Sequence, residues 1–97
     1  MSEKTTLVNV QLRGDKGAEN YQVELPKREL TLLDVFEAVS RLEWGCKLFE
    51  TGEDGKLKAV AGTLVVLNNR MIQPWDVGTT AVQHDDQLRF VPVVAGG

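Results

Sequence analysis

The residues whose types and order could carry chemistry close the chain, in the run Val93-Val94-Ala95-Gly96-Gly97. Side-chain bulk falls along this run and disappears over its last two residues. An extended chain spans about 3.3–3.6 Å per residue, so these five residues can project a terminal carboxylate roughly 16–18 Å from a folded body. We predict a flexible tail over about 93–97 that threads a narrow channel, because glycine lacks a Cβ and adopts backbone angles closed to other residues. A frayed chain end with incidental glycines is the alternative.

The other reactive side chains do not assemble into a catalytic or metal site. The single cysteine, Cys46, excludes an intramolecular disulfide and argues against a cysteine-based metal site. It follows Gly45 at the predicted end of a helix and is interpreted as a small buried hydrophobe. The single histidine, His84, precedes Asp85-Asp86. One histidine beside adjacent carboxylates forms neither a triad nor a closed metal site, so we interpret this segment as a solvated turn. We predict no metal site, and a protein that is not itself an enzyme.

Two segments near the N-terminus are predicted to pair as a β-hairpin. Apolar and polar residues alternate over 7–12 and again over 21–25, which Pro26 ends. This is the period of half-buried strands. The intervening residues 14–20 are polar and contain two glycines, and they form the predicted loop of the hairpin.

The clearest local signal is the start of a helix. Thr31 followed by Asp34 has the spacing of a capping box. Apolar residues then recur at helical spacing as far as Leu42, which predicts an amphipathic helix over 32–44. Gly45 is placed to end this helix in a left-handed turn.

The second half of the chain supplies further strands. The apolar run 64–67 has the composition of a strand buried on both faces. Asn68-Asn69-Arg70 then turns the chain, and 87–91 forms a final strand that Pro92 limits. Region 47–62 is predicted to be a turn with short flanking strands.

The order strand, strand, helix, strands, strand predicts an α+β fold. A single domain over 1–97 would contain one mixed sheet with the helix packed across one face. The other face of the sheet would then be free for partners.

A docking surface is predicted where the tail leaves this sheet. Its candidate partner-binding residues are Phe90, Val91, Val93 and Val94. Exposed valines beside a chain end would cost solubility without a compensating contact. Trp44 and Trp75 are expected first to pack on the body of the protein and second to contact a partner.

Composition narrows the class of protein. The chain has 97 residues, of which 42% are hydrophobic, as expected for one globular domain. A net charge of -3 gives no general attraction to nucleic acid or to anionic membranes. No apolar run approaches the roughly 20 residues that span a bilayer, and residues 1–6 lack the pattern of a signal peptide. We predict a soluble, cytoplasmic protein.

The order of elements resembles that of the ubiquitin-like β-grasp proteins. The ending QLRFVPVVAGG (87–97) resembles their sulfur-carrier branch, which includes the small subunit of molybdopterin synthase and the thiamine-pathway carrier. In that family an acidic turn precedes the last strand, as His84-Asp85-Asp86 does here, although an acidic residue replaces the usual glycine. Asn68 is similar to the asparagine that ends a strand in the family, with Asn69 where glycine is commoner. Region 47–62 looks like an insertion relative to short members.

The resemblance implies chemistry at the carboxylate of Gly97. An E1-like adenylyltransferase would use ATP to adenylate this group, and a persulfide sulfur donor would convert it to a thiocarboxylate. A sulfur-accepting synthase subunit would then take the sulfur. Gly96 and Ala95 would thread the channel of the partner, and the carrier itself would bind no cofactor.

Several biosynthetic pathways use carriers with this kind of C-terminal chemistry. Pro92, two residues after Phe90, favours molybdopterin synthesis for the molybdenum or tungsten cofactor. Carriers for thiamine, cysteine or tRNA thiolation have the same kind of ending. A ubiquitin-like modifier, with Gly97 joined to a lysine amine, and a β-grasp binding module with incidental glycines are the other hypotheses.

Overall fold

Two long strands open the fold as an antiparallel hairpin. The structure is a computed structural model that describes residues 5–14 and 17–93. Strand β1 runs over Thr5–Gly14 and strand β2 over Gly17–Pro26, and the two pair along their whole length. The prediction of a loop over 14–20 is therefore wrong for most of these residues, since β2 already begins at Gly17. The first residues of β2 are exposed and mostly polar, so they lack the apolar alternation that reveals a strand in a sequence.

A short strand, β3 (Leu30–Thr31), leads into helix α1 (Leu32–Ser40). The predicted capping box of Thr31 and Asp34 is present. Asp34 Oδ2 accepts a 2.8 Å hydrogen bond from the Thr31 N–H and a 3.2 Å hydrogen bond from the Thr31 hydroxyl. The start of the helix is thus fixed by the two residues that the sequence indicates.

The end of the helix differs from the prediction. Helix α1 ends at Ser40, and the chain then tightens into turns in which the Leu42 N–H donates to the Val39 carbonyl at 3.0 Å. Gly45 does not adopt a left-handed backbone. A Cβ at Gly45 would instead collide with the carbonyl oxygen and the side chain of Val39. Glycine is needed here because the backbone returns against the helix, and this close approach replaces the expected extension to Trp44.

Seven short elements follow the helix as far as Val93, the last described residue. They are β4 (Phe49–Thr51), β5 (Leu57–Ala59), β6 (Thr63–Leu67), β7 (Arg70–Ile72), a 3₁₀ turn (Pro74–Asp76), β8 (Ala81–Val82) and β9 (Asp86–Pro92). The main sheet has the strand order β2-β1-β9-β6-β7, with β1 and β9 parallel and the other pairs antiparallel. β3 pairs with β8, and β4 pairs with β5. The predicted α+β architecture, a mixed sheet with a single helix, is confirmed.

The core lies between helix α1 and one face of the main sheet. The helix buries Leu32, Val35, Phe36 and Val39, and the sheet buries Val8, Val10, Val65, Leu67, Leu88 and Phe90. The rings of Phe36, Phe49 and Phe90 form the centre, with centroids 4.7 to 5.9 Å apart. These distances are those of favourable aromatic pairs.

The opposite face of the main sheet is open within the part of the chain that the structure describes. In β6, Val65 and Leu67 are buried, whereas Leu64 keeps 37% of its surface exposed. The prediction that 64–67 is buried on both faces is therefore wrong. β6 belongs to a sheet that carries its helix on one side only, so half of its apolar residues face outward.

The turn between β6 and β7 agrees with the prediction. Asn68 and Asn69 have φ values of 51° and 70°, and Leu67 pairs directly with Arg70. Two consecutive left-handed residues give the tightest hairpins, and asparagine tolerates this conformation.

Candidate functional site

The last described residues place the start of the tail at the centre of the main sheet. β9 pairs with β1 on one side and with β6 on the other. Beyond the strand, the Val93 N–H donates a 2.6 Å hydrogen bond to the Gly62 carbonyl. The chain is therefore held by its neighbours as far as Val93. The remaining candidate residues, Val94, Ala95, Gly96 and Gly97, lie outside the described residues, and their roles stay predictions.

Phe90 does not belong to the docking surface. Only 2% of its surface is exposed, and its ring packs against Phe36 and Phe49. The prediction that Phe90 binds a partner is wrong, because side chains alternate along a strand and Phe90 points toward the helix. Its neighbour Val91 points to the open face and is half-buried.

An apolar patch covers the open face beside the base of the tail. It consists of Leu64, Val66, Met71 and Val91. Leu64 lies opposite Val91, and Val66 lies opposite Met71. Leu64 is 37% exposed and Met71 56% exposed, and Val93, which follows on the same strand end, is 50% exposed. Contiguous exposed apolar groups rimmed by polar ones are typical of interaction sites.

The other half of the open face is polar. Four amide side chains on β1 and β2 hydrogen-bond in pairs: Gln11 Nε2 to Asn20 Oδ1 at 3.1 Å, and Gln22 Nε2 to Asn9 Oδ1 at 3.1 Å. Arg89 separates this amide half from the apolar patch, since it lies opposite Gln11 on one side and Val66 on the other. The predicted free face is thus apolar only on the side that adjoins the tail.

Asn68 and the acidic turn hold the start of β9 in place. Asn68 Oδ1 accepts a 2.9 Å hydrogen bond from the Gln87 N–H, and Asn68 Nδ2 donates a 3.0 Å hydrogen bond to Asp86 Oδ1. Asp86 Oδ2 also accepts from the Gln83 N–H at 2.8 Å. These contacts join the β6–β7 turn to the strand that carries the tail, which gives the asparagine of the motif a structural role.

The rest of the acidic turn is exposed. Asp85 has a φ of 71°, a left-handed conformation that glycine adopts most readily. His84 Nδ1 accepts a 3.1 Å hydrogen bond from the Leu7 N–H, and its Nε2 lies 3.7 Å from Asp85 Oδ1. The turn connects β9 to β1, and among the residues that the structure describes the side chain with which His84 pairs is that of Asp85.

Cys46 is exposed, so the prediction that it is a small buried hydrophobe is wrong. The turns after α1 carry it at the surface, with its Sγ 3.6 Å from the Glu43 carbonyl. Within residues 5–14 and 17–93, no three of the side chains that commonly bind metals lie close enough to hold an ion.

The two tryptophans differ in exposure. Trp44 is half-buried and stacks on Tyr21, with ring centroids 4.1 Å apart and planes at 6°. Two effects raise the pKa of Tyr21 above its ordinary value: desolvation is the larger, and the hydrogen bond to Glu19 is the smaller. Trp75, in the 3₁₀ turn, keeps 76% of its surface exposed. The expectation of packing therefore holds for Trp44 and not for Trp75.

Sequence reasoning missed three members of the apolar patch, namely Leu64, Val66 and Met71. The continuous apolar run 64–67 predicts burial on both faces and gives no sign of which residues face outward. A usable signal was present, because a two-residue turn at Asn68-Asn69 places Met71 directly opposite Val66.

Comparison with known proteins identifies the kind of protein that carries this site. The model of the ThiS family matches residues 7–97. No curated protein sequence matches the chain. None of the described residues belongs to a helix long and apolar enough to cross a bilayer.

Solved structures that share the fold include the following three proteins. Small archaeal modifier protein 1 from Methanosarcina acetivorans is 19% identical, with a TM-score of 0.67, and the alignment covers 96% of this chain and 98% of that one. The Haloferax volcanii protein HVO 2177 is 20% identical, with a TM-score of 0.64, over 100% of this chain and 92% of that one. Haptocorrin, solved in complex with Cbi, is 11% identical, with a TM-score of 0.63, over 97% of this chain and 27% of that one. At these identities the likeness concerns the fold alone.

Proposed function

The chain belongs to the ThiS family of ubiquitin-like sulfur carriers and small modifiers, and from this premise we propose that it carries sulfur on the C-terminal carboxylate of Gly97. The observation that carries the proposal is the position of β9. This central strand delivers Val93 beside the apolar patch, at a point from which four more residues can extend about 13–14 Å.

The proposed chemistry has three steps. The Gly97 carboxylate attacks the α-phosphorus of ATP on an E1-like adenylyltransferase, which forms an acyl adenylate and releases pyrophosphate. The terminal sulfur of a persulfide then attacks the acyl carbon, and AMP leaves. A thiol cleaves the resulting acyl disulfide, so that the thiocarboxylate is released and the two other sulfurs become a disulfide. The partners supply acid, base and metal, and this chain supplies a thin backbone and a docking surface.

The apolar patch is the proposed docking surface for the adenylyltransferase. Its residues lie on the open face beside Val93, the last described residue before the tail. Exposed apolar side chains fixed on strands lose little conformational freedom when a partner covers them. Docking there would set the distance from the body of the carrier to the reacting carbonyl, and Gly96 and Ala95 would fill the channel between them.

Within sulfur transfer, we propose molybdopterin synthesis first, with a synthase subunit as sulfur acceptor. Pro92, two residues after Phe90, supports this assignment by resemblance. Thiamine, cysteine and tRNA thiolation are the alternatives, and the identity of the subunit that accepts the sulfur separates them.

A protein modifier is the second candidate, favoured by the likeness in fold to small archaeal modifier protein 1. It would use the same adenylation and then form an isopeptide bond between Gly97 and a lysine amine. A free thiocarboxylate supports the carrier, and a conjugate resistant to thiols supports the modifier.

Removal of Gly97 tests the proposal. The full chain, incubated with its adenylyltransferase, ATP and a persulfide donor, should gain the mass difference between sulfur and oxygen at Gly97. The truncated chain presents its carboxylate about 3.3–3.6 Å short of the reacting position, and a displacement of about 1 Å can cost on the order of a hundredfold in rate.

Gly97 lies beyond β9, the last described strand, so the melting temperature of the truncated chain should match that of the full chain. This comparison serves as the folding control. A truncated chain that gains no sulfur and still supports its pathway at the normal rate would contradict the carrier and favour a binding module.

A further inference from the structure

The side chain of Arg89 lies near the middle of the open face. β9 is the third of the five strands of the main sheet, and Leu88 and Phe90 on either side of Arg89 are buried against the helix. Because side chains alternate along a strand, Arg89 points to the open face, where it is half-buried. Neighbouring strands lie about 4.7–4.9 Å apart, so Arg89 is roughly 10 Å from either edge of the sheet.

The neighbours of Arg89 on this face are uncharged. Gln11 and Val66 lie opposite it on β1 and β6, and Gln87 and Val91 lie two residues away along β9. The side-chain amide of Gln11 donates its hydrogen bond to β2, away from Arg89. Among the residues that the structure describes, no carboxylate forms an ion pair with the Arg89 guanidinium.

Two other charged side chains point to the open face among the described strand residues. Arg13 on β1 is also positive, and Glu24 on the edge strand β2 is the carboxylate. Glu24 pairs with Leu7, whereas Arg89 lies beside Gln11. Two strand spacings across the sheet and four residues along it therefore separate the Cα atoms of Glu24 and Arg89, a distance of roughly 16 Å. Glu24 is too far away to pair with Arg89.

A partner that covers the apolar patch also removes water from Arg89. The patch begins at Val66 and Val91, which adjoin Arg89 on the sheet. A charged group that loses its water opposes binding unless the partner pairs with it. A carboxylate is the group that fits best, because it accepts two parallel hydrogen bonds from the planar fork of a guanidinium. The charge at the centre of the face therefore selects an acidic side chain on the partner.

We propose that the adenylyltransferase presents one aspartate or glutamate that pairs with Arg89 when the enzyme covers the apolar patch. This inference rests on the proposed docking of that enzyme, and it adds the chemistry of the enzyme's contact surface. Apolar side chains cover Leu64, Val66 and Met71, and a carboxylate lies toward the amide half of the face. Arg89 thereby sets specificity, since a wholly apolar surface would leave its guanidinium buried and unpaired.

The first test compares carrier variants with the enzyme that adenylates the wild-type chain, in the assay of pyrophosphate release. Arg89→Gln should raise KM about thirtyfold or more and leave kcat unchanged, because it removes one partner of a buried charge pair that contributes to binding. Arg89→Lys keeps the charge without the fork and should recover part of this loss. Arg41→Gln is the matched control. It removes an exposed arginine at the end of α1, and its KM should stay within about twofold of the wild-type value.

A second test exchanges the charges. Arg89→Glu should be adenylated more slowly than Arg89→Gln, because two carboxylates then face each other. The aspartates and glutamates on the surface of the enzyme are changed to lysine one at a time. One of these enzyme variants should raise kcat/KM for the Arg89→Glu carrier about tenfold or more and lower it for the wild-type carrier.

The inference is wrong if a folded Arg89→Gln variant has the KM of the wild type, or if its KM rises no more than that of Arg41→Gln. It is also wrong if no enzyme variant restores the Arg89→Glu carrier. A melting temperature close to that of the wild type shows that each carrier variant is folded. The wild-type chain separates the two proposals: if it is not adenylated, the carrier proposal fails, whereas normal adenylation of the wild type and of every Arg89 variant overturns this inference alone.

Discussion

Substitutions at one exposed and one buried residue of the main sheet distinguish an effect on docking from an effect on folding stability. We expect Met71→Asp to slow adenylation and leave stability intact. Phe90→Leu should lower stability and leave the rate of adenylation unchanged. Met71 is 56% exposed on the open face, whereas Phe90 is 2% exposed in the core. The two residues are therefore expected to affect different properties, although the sequence alone suggests that Phe90 belongs to the docking surface.

The magnitudes follow from these surroundings. Phe90→Leu removes ring pairs with Phe36 at 5.9 Å and with Phe49 at 5.5 Å. Each aromatic pair contributes about 0.5–1.5 kcal/mol beyond its buried area, so the free energy of unfolding should fall by about 1–3 kcal/mol. In a domain of this size each kcal/mol lowers the melting temperature by about 4–8 °C. Met71→Asp should change stability by no more than about 0.5 kcal/mol.

The assay for docking is pyrophosphate release by the adenylyltransferase. A carboxylate buried at a docking contact costs about 2 kcal/mol, the size of a hot spot, so Met71→Asp should lower kcat/KM about thirtyfold. Gln22→Asp, which places the same charge on the amide half of the open face, is the matched control and should lower it little. Equal losses for Met71→Asp and Gln22→Asp would refute the assignment of the apolar patch, as would slow adenylation by a Phe90→Leu variant with an unchanged melting temperature.

Three further expectations concern the helix and the turns that follow it. Thr31→Ala should lower the free energy of unfolding by about 0.5–2 kcal/mol in a urea titration, because the contacts of the Thr31 hydroxyl in the capping box are lost while the bond from the Thr31 N–H to Asp34 remains; an unchanged midpoint would show that the hydroxyl contributes nothing. Gly45→Ala should cost about 1–3 kcal/mol, since its Cβ collides with Val39, and a thermal melt identical to that of the wild type would disprove the close approach. Cys46 should react with iodoacetamide in the folded protein, and Cys46→Ala should still form the thiocarboxylate in the mass-spectrometric assay; loss of sulfur loading by a folded variant would give Cys46 a role in transfer.

Local signals in the sequence predicted the elements that depend on their own residues. The capping box at Thr31, the turn at Asn68-Asn69 and the final strand before Pro92 each follow from the chemistry of a few neighbouring residues. The fold class followed from their order. The end of α1 could not be predicted in this way, because it is set by the close approach of Gly45 to Val39.

The candidate site was less predictable, because it depends on which face of the sheet carries the helix. Leu64 and Phe90 are both apolar strand residues, and only the assembled sheet decides that the first is exposed and the second buried. The exposure of Cys46 and of Trp75 has the same origin. Both lie on turns whose direction is set by packing between distant segments.

The central position of β9 also bears on how the protein is synthesised. β9 is the last described strand to leave the ribosome, yet it separates β1 from β6. A nascent chain that stops before β9 holds two unconnected strand pairs of the main sheet, β1–β2 and β6–β7, and its core lacks Leu88 and Phe90. Long-range pairing of this kind forms only after the intervening chain has been closed into a loop. Since Val91 lies opposite Leu64 in the apolar patch, the full patch exists only in chains that have been translated past the last described strand.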